Sequence, residues 1–201
     1  TVILPTIRNN DPSKVTSTLC VSSQYACTQS CTFCATGSMS TPVIDLYPSE
    51  IVSQLRAARS AGGLEIRNVV FMGMGEPTSN PFLYDAVEMI IEEGILGRGI
   101  TVSTVGRSPG SFDELLERLP GTVRIAWSVH AVTDRIRKEI VPTTTYSMEV
   151  LKTGLVNAMM KHRKSKKGRR VMLEYCLIEG VNDMTEEAEA FAEFAVDIGN
   201  R

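Results

Sequence analysis

Short apolar runs rich in β-branched residues alternate along this chain with longer stretches whose apolar residues recur at helical spacing. The apolar runs that predict strands are residues 17–21, 68–72, 99–103, 123–128 and 170–177. The stretches that predict helices are residues 48–61, 81–92, 111–119, 147–161 and 185–197. Alternation of this kind is typical of βα units built around a parallel sheet. The pattern therefore predicts an α/β fold with about five βα units.

Each predicted strand is followed by polar or glycine-rich residues. Those segments are residues 20–34, 73–77, 103–106, 128–131 and 179–183. In a parallel βα barrel the carboxyl ends of the strands meet at one end of the fold, where such folds build their sites. We therefore expect the segments to converge on a single site.

Length and composition are those of an ordinary single domain. The 201 residues are 43% hydrophobic and 22% charged, and one domain over residues 1–201 is expected. The chain has no apolar run of the roughly 18 residues that a membrane helix needs and no signal-peptide pattern, which favours the cytoplasm or an organelle matrix. It opens on a strand-like run without an initiator methionine and stops straight after a helical pattern, so we expect a domain truncated at both ends.

The charges are close to balanced and give no general argument for nucleic-acid binding, with 21 Lys and Arg against 23 Asp and Glu. Residues 161–170 are the exception, because seven of them are Lys or Arg. This segment joins a predicted helix to the next strand, so it lies at the amino ends of the strands, opposite the expected site. A solvated loop is therefore favoured over a contact with phosphate groups.

Three of the five cysteines form the motif Cys27-x3-Cys31-x2-Cys34 after the first predicted strand. Such close spacing suits a disulfide framework poorly and favours reduced thiols gathered for iron–sulfur or zinc. A four-iron cluster held by three cysteines leaves one iron without a protein ligand, and that iron can bind a substrate or cofactor. Zinc, with Cys20 or His130 as the fourth ligand, is the alternative, but structural zinc sites usually pair two cysteine knuckles and this sequence has one.

The other strand ends carry residues that suit an amino acid and a ribose. Residues 73–77 combine glycines, which let a ligand approach the backbone, with Glu76, whose carboxylate can bind an ammonium group. Side chains suited to hydroxyls and a carboxylate follow later strands: Ser103, Ser128, His130 and Asn182. Each alone is more typical of a turn or a capped loop, but their expected convergence favours binding. Phe33 fits either core packing or one wall for an adenine ring.

The cysteine motif after the first strand of a βα series resembles that of the radical S-adenosylmethionine (SAM) superfamily, whose fold is a partial (βα)6 barrel. The resemblance implies a 4Fe–4S cluster on Cys27, Cys31 and Cys34, with SAM bound to the open iron through its amino and carboxylate groups. It further implies that one electron from the cluster cleaves SAM to methionine and a 5'-deoxyadenosyl radical.

A longer series of motifs resembles one particular group within this superfamily. In chain order they are residues 18–24, the cysteine motif with Phe33 and residues 36–37, and residues 72–77, 103–106, 128–131, 140–142, 174–175 and 181–183. Together they resemble the RNA adenine-C2 methyltransferases of the RlmN and Cfr group. The resemblance implies ribosomal RNA and transfer RNA as substrates and a reducing partner such as flavodoxin or ferredoxin. The SAM contacts that it implies are Gly75, Glu76, Ser103, Ser128, Val129, His130 and Asn182.

The same resemblance gives Cys20 a catalytic role. In the family a C-terminal cysteine accepts a methyl group from one SAM, a radical from a second SAM converts it to a methylene radical, and this radical adds to an adenine carbon. The cysteine that matches Cys20 then removes a proton to release the product. Without the resemblance, Cys20 is interpreted as a buried strand cysteine.

The chain departs from the family pattern in several places. It lacks the methyl-carrying cysteine, the last βα unit and the small N-terminal RNA-contacting domain, and Thr143 and Thr144 replace the usual residues after Pro142. We therefore expect that these 201 residues alone do not methylate RNA. The alternatives are a Cfr-like methyltransferase acting at adenine C8, a radical enzyme that does not methylate, and a zinc- or cluster-stabilised interaction module without catalysis.

Overall fold

The computed structural model describes residues 1–8, 11–62, 65–163 and 170–199. Within these ranges the strands are β1 (Val2–Arg8), β2 (Asp11–Val21), β3 (Gln24–Tyr25), β4 (Ile44–Asp45), β5 (Ile66–Phe71), β6 (Ile100–Thr104), β7 (Arg124–Ser128) and β8 (Val171–Glu174). The α-helices are α1 (Pro48–Gly62), α2 (Leu83–Glu92), α3 (Pro109–Arg118), α4 (Asp134–Ile140), α5 (Met148–His162) and α6 (Thr185–Gly199). None of these described helices is long and apolar enough to cross a membrane.

A six-stranded sheet in the order β1-β2-β5-β6-β7-β8 forms the centre of the fold. β1 and β2 pair antiparallel as a hairpin, and every other neighbouring pair in this sheet is parallel. β3 and β4 form a separate two-stranded ribbon. Each parallel strand is followed by at least one helix, so the predicted α/β fold, a partial barrel of βα units, is confirmed.

Alternating apolar residues of the strands face the helices. Leu19 and Val21 of β2 and Phe71 of β5 are buried in one hydrophobic core with residues of α1, α2, α3 and α5. Because successive strand residues point to opposite faces, Cys20 of β2 and Met172 of β8 lie on the other side of the sheet, where both are at least partly exposed. One face of the sheet is thus packed against the helices, whereas the inner face is partly exposed at Cys20 and Met172.

The register of the parallel strands places polar residues next to each other at their carboxyl ends. Ser103 of β6 lies opposite Ala126 of β7, and Ser128 of β7 lies opposite Glu174 of β8. Three neighbouring strands therefore present hydroxyl and carboxylate groups at the same edge of the sheet.

The sequence interpretation missed α4 and extended the fifth parallel strand too far. α4 has seven residues with the sequence DRIRKEI, which is too short and too charged to show a clear apolar repeat. β8 ends at Glu174, not at residue 177, because the Cys176 N–H donates to His130 Nδ1 at 3.1 Å instead of continuing the sheet. Cys176, predicted inside the strand, lies beyond it and is exposed.

The basic segment 161–170 falls largely outside the described residues. Of its described residues, Lys161 and His162 complete α5, where they contact Asp113 of α3 at 2.7 and 2.8 Å. These two side chains therefore help to join α3 to α5.

The close approach of α3 and α5 depends on a glycine. A Cβ atom at Gly154 would lie 2.4 Å from the Cβ of Pro109 and 2.6 Å from its Cα. Gly154→Ala is therefore expected to lower the free energy of unfolding by about 1–3 kcal/mol, as overpacking does, in urea denaturation.

Gly110→Ala is the matched control in α3, because its added Cβ would meet only the Ser108 Oγ, at 3.9 Å. This change should leave the free energy of unfolding unchanged or raise it by up to ~1 kcal/mol, since alanine favours the helix. Equal effects of the two substitutions would contradict the close contact.

Candidate functional site

An open cavity of about 280 Å³ lies at the carboxyl ends of the parallel strands. Its lining combines the cysteine loop with residues at or just beyond the carboxyl ends of β5, β6, β7 and β8. The predicted site residues that line it are Cys27, Cys31, Phe33, Cys34, Gly75, Glu76, Ser103, Ser128 and His130. The structure thus brings together residues that the sequence spreads over a hundred positions. Cys20, Val129 and Asn182 are not part of the lining.

The cysteine loop is held in a strained backbone conformation. Ala26 and Ser30, directly before Cys27 and Cys31, have φ angles of 63° and 50° in the left-handed region that side chains disfavour. Gly37 packs against this loop so closely that a Cβ would lie 2.4 Å from the Cys31 carbonyl oxygen. Such strain persists only where surrounding contacts enforce it, which indicates a loop shaped for a purpose other than packing.

Contacts from the segment around α4 support the same loop from the other side. The Thr32 N–H donates to the Ile140 carbonyl at 3.0 Å. The Thr143 hydroxyl hydrogen-bonds to the Gln29 carbonyl at 3.0 Å and to its side-chain oxygen at 2.8 Å. Thr143, which departs from the family pattern in the sequence, is therefore an anchor of the cysteine loop.

Two of the cysteine thiols are held in their neutral form. Burial raises the pKa of the Cys31 thiol to about 11, and the neighbouring Cys27 contributes in the same direction. Burial also raises the pKa of Cys27, although backbone N–H groups of Gln29 and Gly75 hydrogen-bond to its sulfur. Binding a metal centre to these thiols at neutral pH must therefore release protons.

The positions of the His, Cys, Asp and Glu side chains show whether a single zinc ion could be coordinated here. Among the described residues, no three His, Cys, Asp or Glu side chains are grouped closely enough to coordinate one metal ion. Cys20 and His130 thus do not complete a single-ion site with the cysteine motif in this conformation. A four-iron cluster has a different requirement, because each cysteine binds a separate iron, and thiols spaced around one cavity meet it.

The glycine-rich segment that follows β5 lies against the start of the cysteine loop. Backbone N–H groups of Ser23 and Gln24 donate to the Met74 carbonyl at 2.9 and 3.1 Å, and the Met74 N–H donates to the Ser22 hydroxyl at 3.0 Å. Gly75 has a φ of +105°, and a Cβ there would lie 2.6 Å from the Ser23 hydroxyl. Only glycine fits this position, because both the conformation and the space exclude a side chain.

Glu76 is buried, with 3% of its surface exposed, and its carboxylate is fixed by several donors. Its Oε1 accepts hydrogen bonds from the hydroxyls of Thr78 and Thr104, both at 2.6 Å. Its Oε2 accepts one from the Val105 N–H at 3.0 Å. The side chain therefore links the ends of β5 and β6 and holds a negative charge at the cavity wall.

A carboxylate that sequence reasoning did not assign to the site connects three strands. Glu174 Oε2 accepts hydrogen bonds from the hydroxyls of Ser103 at 2.5 Å and Ser128 at 3.3 Å, and the two hydroxyls lie 3.1 Å apart. Glu174 also lines the cavity. The sequence offered one signal for it, the Glu-Tyr pair in the family pattern, but no indication of its partners.

His130 is held neutral and in one tautomer. Its Nδ1 accepts a hydrogen bond from the Cys176 N–H at 3.1 Å, which places the ring proton on Nε2. Burial, with a smaller effect of the Arg137 charge, lowers the pKa of His130 to about 4. The ring packs edge-on against Phe33, with 4.9 Å between the ring centres. The neutral imidazole of His130 and the ring of Phe33 therefore lie next to each other in the cavity lining.

Asn182 and Val129 support His130 from behind. The buried Asn182 amide donates to the carbonyls of His130 at 2.6 Å and Cys176 at 2.8 Å, and its oxygen accepts from the Ile178 N–H at 2.7 Å. The Val129 side chain is buried, and its backbone N–H donates to the Glu174 carbonyl at 2.9 Å. Both residues shape the strand end and do not face the cavity.

Cys20 lies on the inner face of β2, outside the cavity lining. Burial raises the pKa of its thiol, while a backbone hydrogen bond from Met72 acts in the opposite direction. The thiol is thus neutral at pH 7 and only partly accessible. A role as a proton acceptor requires its thiolate, so it requires prior loss of that proton.

The Asn182 contacts predict a large loss of stability on truncation. Asn182→Ala removes three part-buried hydrogen bonds between a buried amide and the backbone, and it should lower the free energy of unfolding by about 2–3 kcal/mol in urea denaturation. Asp183→Ala is the control, because Asp183 is exposed and accepts a single weakly shielded hydrogen bond, from the Gly180 N–H at 2.9 Å, in the described part of the chain. A loss no greater for Asn182→Ala than for Asp183→Ala would overturn this description of the loop.

Comparisons with known proteins agree with this geometry. The family model of the Radical SAM superfamily matches residues 21–195. The dual-specificity RNA methyltransferase RlmN of Magnetococcus marinus is 38% identical over 198 residues, which cover 94% of this chain and 53% of that protein. A probable RlmN of a Parafrankia species is 42% identical over 200 residues, covering 89% of this chain and 50% of the relative. The chain spans about half the length of these relatives.

Solved structures show the same fold. The crystal structure of a radical SAM methyltransferase from Sphaerobacter thermophilus superposes with a TM-score of 0.74 at 38% identity, covering 92% of this chain and 53% of that one. Streptococcus suis SuiB bound to SAM superposes with a TM-score of 0.63 at 13% identity, covering 90% and 38% of the two chains. The second likeness concerns the fold alone.

The cofactors of this superfamily are a 4Fe–4S cluster and SAM, and the predicted resemblance to the RlmN group is confirmed by the relatives' names and identities. With a cysteine motif, a glycine-rich segment and a polar strand edge arranged around one cavity, and a family match over most of its length, the chain belongs to the Radical SAM superfamily.

Proposed function

We propose that this chain holds a 4Fe–4S cluster on Cys27, Cys31 and Cys34 and binds SAM beside it. The observation that carries the proposal is that the three thiols line the same cavity as Glu76 and the serine pair of β6 and β7. When bound, the cluster supplies the electron that cleaves SAM to methionine and a 5'-deoxyadenosyl radical.

The residues present suit both groups. Thiolates are the preferred ligands of iron–sulfur clusters, and N–H groups of Gln29 and Gly75 already point to the sulfur of Cys27. The exposed Cys34 and the buried Cys31 approach the cavity from one short loop.

We assign the other lining residues to different parts of the SAM molecule. Glu76 provides a fixed carboxylate for the methionine ammonium, and the absence of a side chain at Gly75 lets the ligand reach the backbone. Ser103 and Ser128 donate to Glu174, so their oxygen lone pairs can accept hydrogen bonds from ribose hydroxyls. Phe33 offers a wall for the adenine.

His130 lines the cavity with its proton on Nε2, where it can donate to a bound ligand, and we assign Val129 and Asn182 to positioning it. The Asn182 amide fixes the His130 carbonyl, and Val129 ties β7 to the Glu174 carbonyl. Their contribution to SAM binding therefore acts through the shape of the strand end.

We further propose that the whole protein methylates C2 of adenine in ribosomal RNA and transfer RNA. The support is the similarity to proteins named dual-specificity RNA methyltransferases at 38–42% identity. Methylation at C8 would use the same motifs and is the second candidate. In this scheme Cys20 removes the proton that releases the product, a flavodoxin or ferredoxin supplies electrons, and the setting is the cytoplasm.

The cluster assignment predicts different results for two cysteine substitutions. After anaerobic reconstitution with iron, sulfide and a reductant, the chain should form 5'-deoxyadenosine from SAM, detected by chromatography. Cys31→Ala should lower this product at least 100-fold, because a cluster ligand is lost. Cys176→Ala should retain it, because Cys176 is exposed and lies outside the cavity.

A cluster that forms equally well in Cys31→Ala would refute the ligand assignment. Bound zinc without iron in the wild-type chain would favour the interaction module instead.

The substrate assignment predicts that this chain cleaves SAM without methylating RNA. The 201 residues should cleave SAM yet leave adenine unmodified in ribosomal RNA and transfer RNA, because they contain no cysteine that matches the methyl carrier. Mass spectrometry of digested RNA measures this directly. Methylated adenine formed by this chain alone would show that the methyl group travels by another route.

A further inference from the structure

Arg137 is a buried cation that the site described above does not use. It lies in α4 with none of its surface exposed. Its Nη1 donates to the carbonyls of Ser128, at 2.8 Å, and Val129, and its Nη2 donates to the carbonyl of Val105. Its Nε is buried without a hydrogen-bond partner.

Arg137 forms no ion pair with a carboxylate in the described part of the chain. None of the ion pairs found there includes Arg137. Burial lowers the pKa of Arg137 to about 10, so the guanidinium stays charged at neutral pH. Burying a charge without a counter-ion is costly, and three carbonyl dipoles offset only part of that cost.

The acidic groups that interact with Arg137 are the Cys31 thiol and the Glu76 carboxylate. Glu76 is already bonded to Thr78, Thr104 and Val105. Each cysteine that binds iron does so as a thiolate, and Cys31 packs against the helix that carries Arg137. The missing counter-charge therefore has a natural position on the cysteine loop.

The packing places α4 directly against that loop. Ile136 and Ile140, which flank Arg137 in α4, form a small hydrophobic cluster with Cys31 and Ala131, separate from the main core. The loop also bonds to α4 at the Ile140 carbonyl, at 3.0 Å. The helix that carries Arg137 therefore packs directly against the cysteine loop.

We propose that Arg137 is the counter-charge of the iron–sulfur cluster and raises its reduction potential. The inference rests on the cluster site proposed above. An oxidised 4Fe–4S core with three thiolates carries one net negative charge, and an electron from an external reductant adds a second by converting one ferric ion to ferrous. A fixed neighbouring cation stabilises the second state more than the first, so reduction becomes more favourable. Arg137 is a positioning residue, because it touches no reacting atom.

The test is the reduction potential of the reconstituted protein, measured by an EPR-monitored redox titration. Arg137→Gln retains hydrogen-bond donors but removes the charge, and its potential should fall by about 59 mV or more, a tenfold change in the one-electron equilibrium. Arg137→Lys retains the charge and should stay close to wild type. Arg135→Gln is the control on the same helix, because its side chain is 79% exposed, and it should not change the potential.

The results for these variants distinguish an electrostatic role of Arg137 from a purely structural one. An unchanged potential in Arg137→Gln would overturn the proposal and leave Arg137 as a link between strand ends. If Arg137→Gln binds no cluster, recovery of the cluster in Arg137→Lys supports a charge role. Failure of both variants overturns it, since the three carbonyl bonds would then be the requirement. Wild-type protein without the cluster absorbance would overturn the cluster site itself.

Discussion

The hydrogen bonds between residues 22–24 and 73–76 hold the two halves of the site together. They fix the start of the cysteine loop to the glycine-rich segment after β5, through the Met74 carbonyl, the Ser22 hydroxyl and the Gln24 side chain. Glu76 extends the same network to β6. Because these contacts use backbone groups and buried side chains in a water-poor environment, each is expensive to break. The cavity keeps its shape as a consequence of this network.

The site combines local strain with a well-packed support. The non-glycine residues with left-handed φ angles in the described part of the chain are Ala26, Ser30 and His130, and all of them border or precede cavity residues. The sheet beneath them buries a continuous apolar core from β2 to β7. A rigid scaffold of this kind can maintain conformations that would relax in a flexible loop. The packed core therefore stabilises the strained backbone conformations of the site.

The sequence predicted the strands and helices well where apolar spacing is regular, as in α1 and β5. It also predicted that the cysteine motif and the polar strand ends meet, because parallel strands share one direction. It did not reveal the contacts of Glu174, whose partners Ser103 and Ser128 lie 71 and 46 positions away. Nor did it reveal that Arg137 is buried, because a charged residue in a short, charged segment is expected to be exposed. Such roles depend on long-range contacts that periodicity does not record.

The decisive experiment is EPR spectroscopy of the reduced, reconstituted chain with and without SAM. If the cysteine loop holds three irons and leaves the fourth open at the cavity, added SAM should bind that iron and change the g values of the cluster signal. A cluster signal that SAM leaves unchanged, in protein that binds SAM by equilibrium dialysis, would show that the cavity and the cluster are not one site.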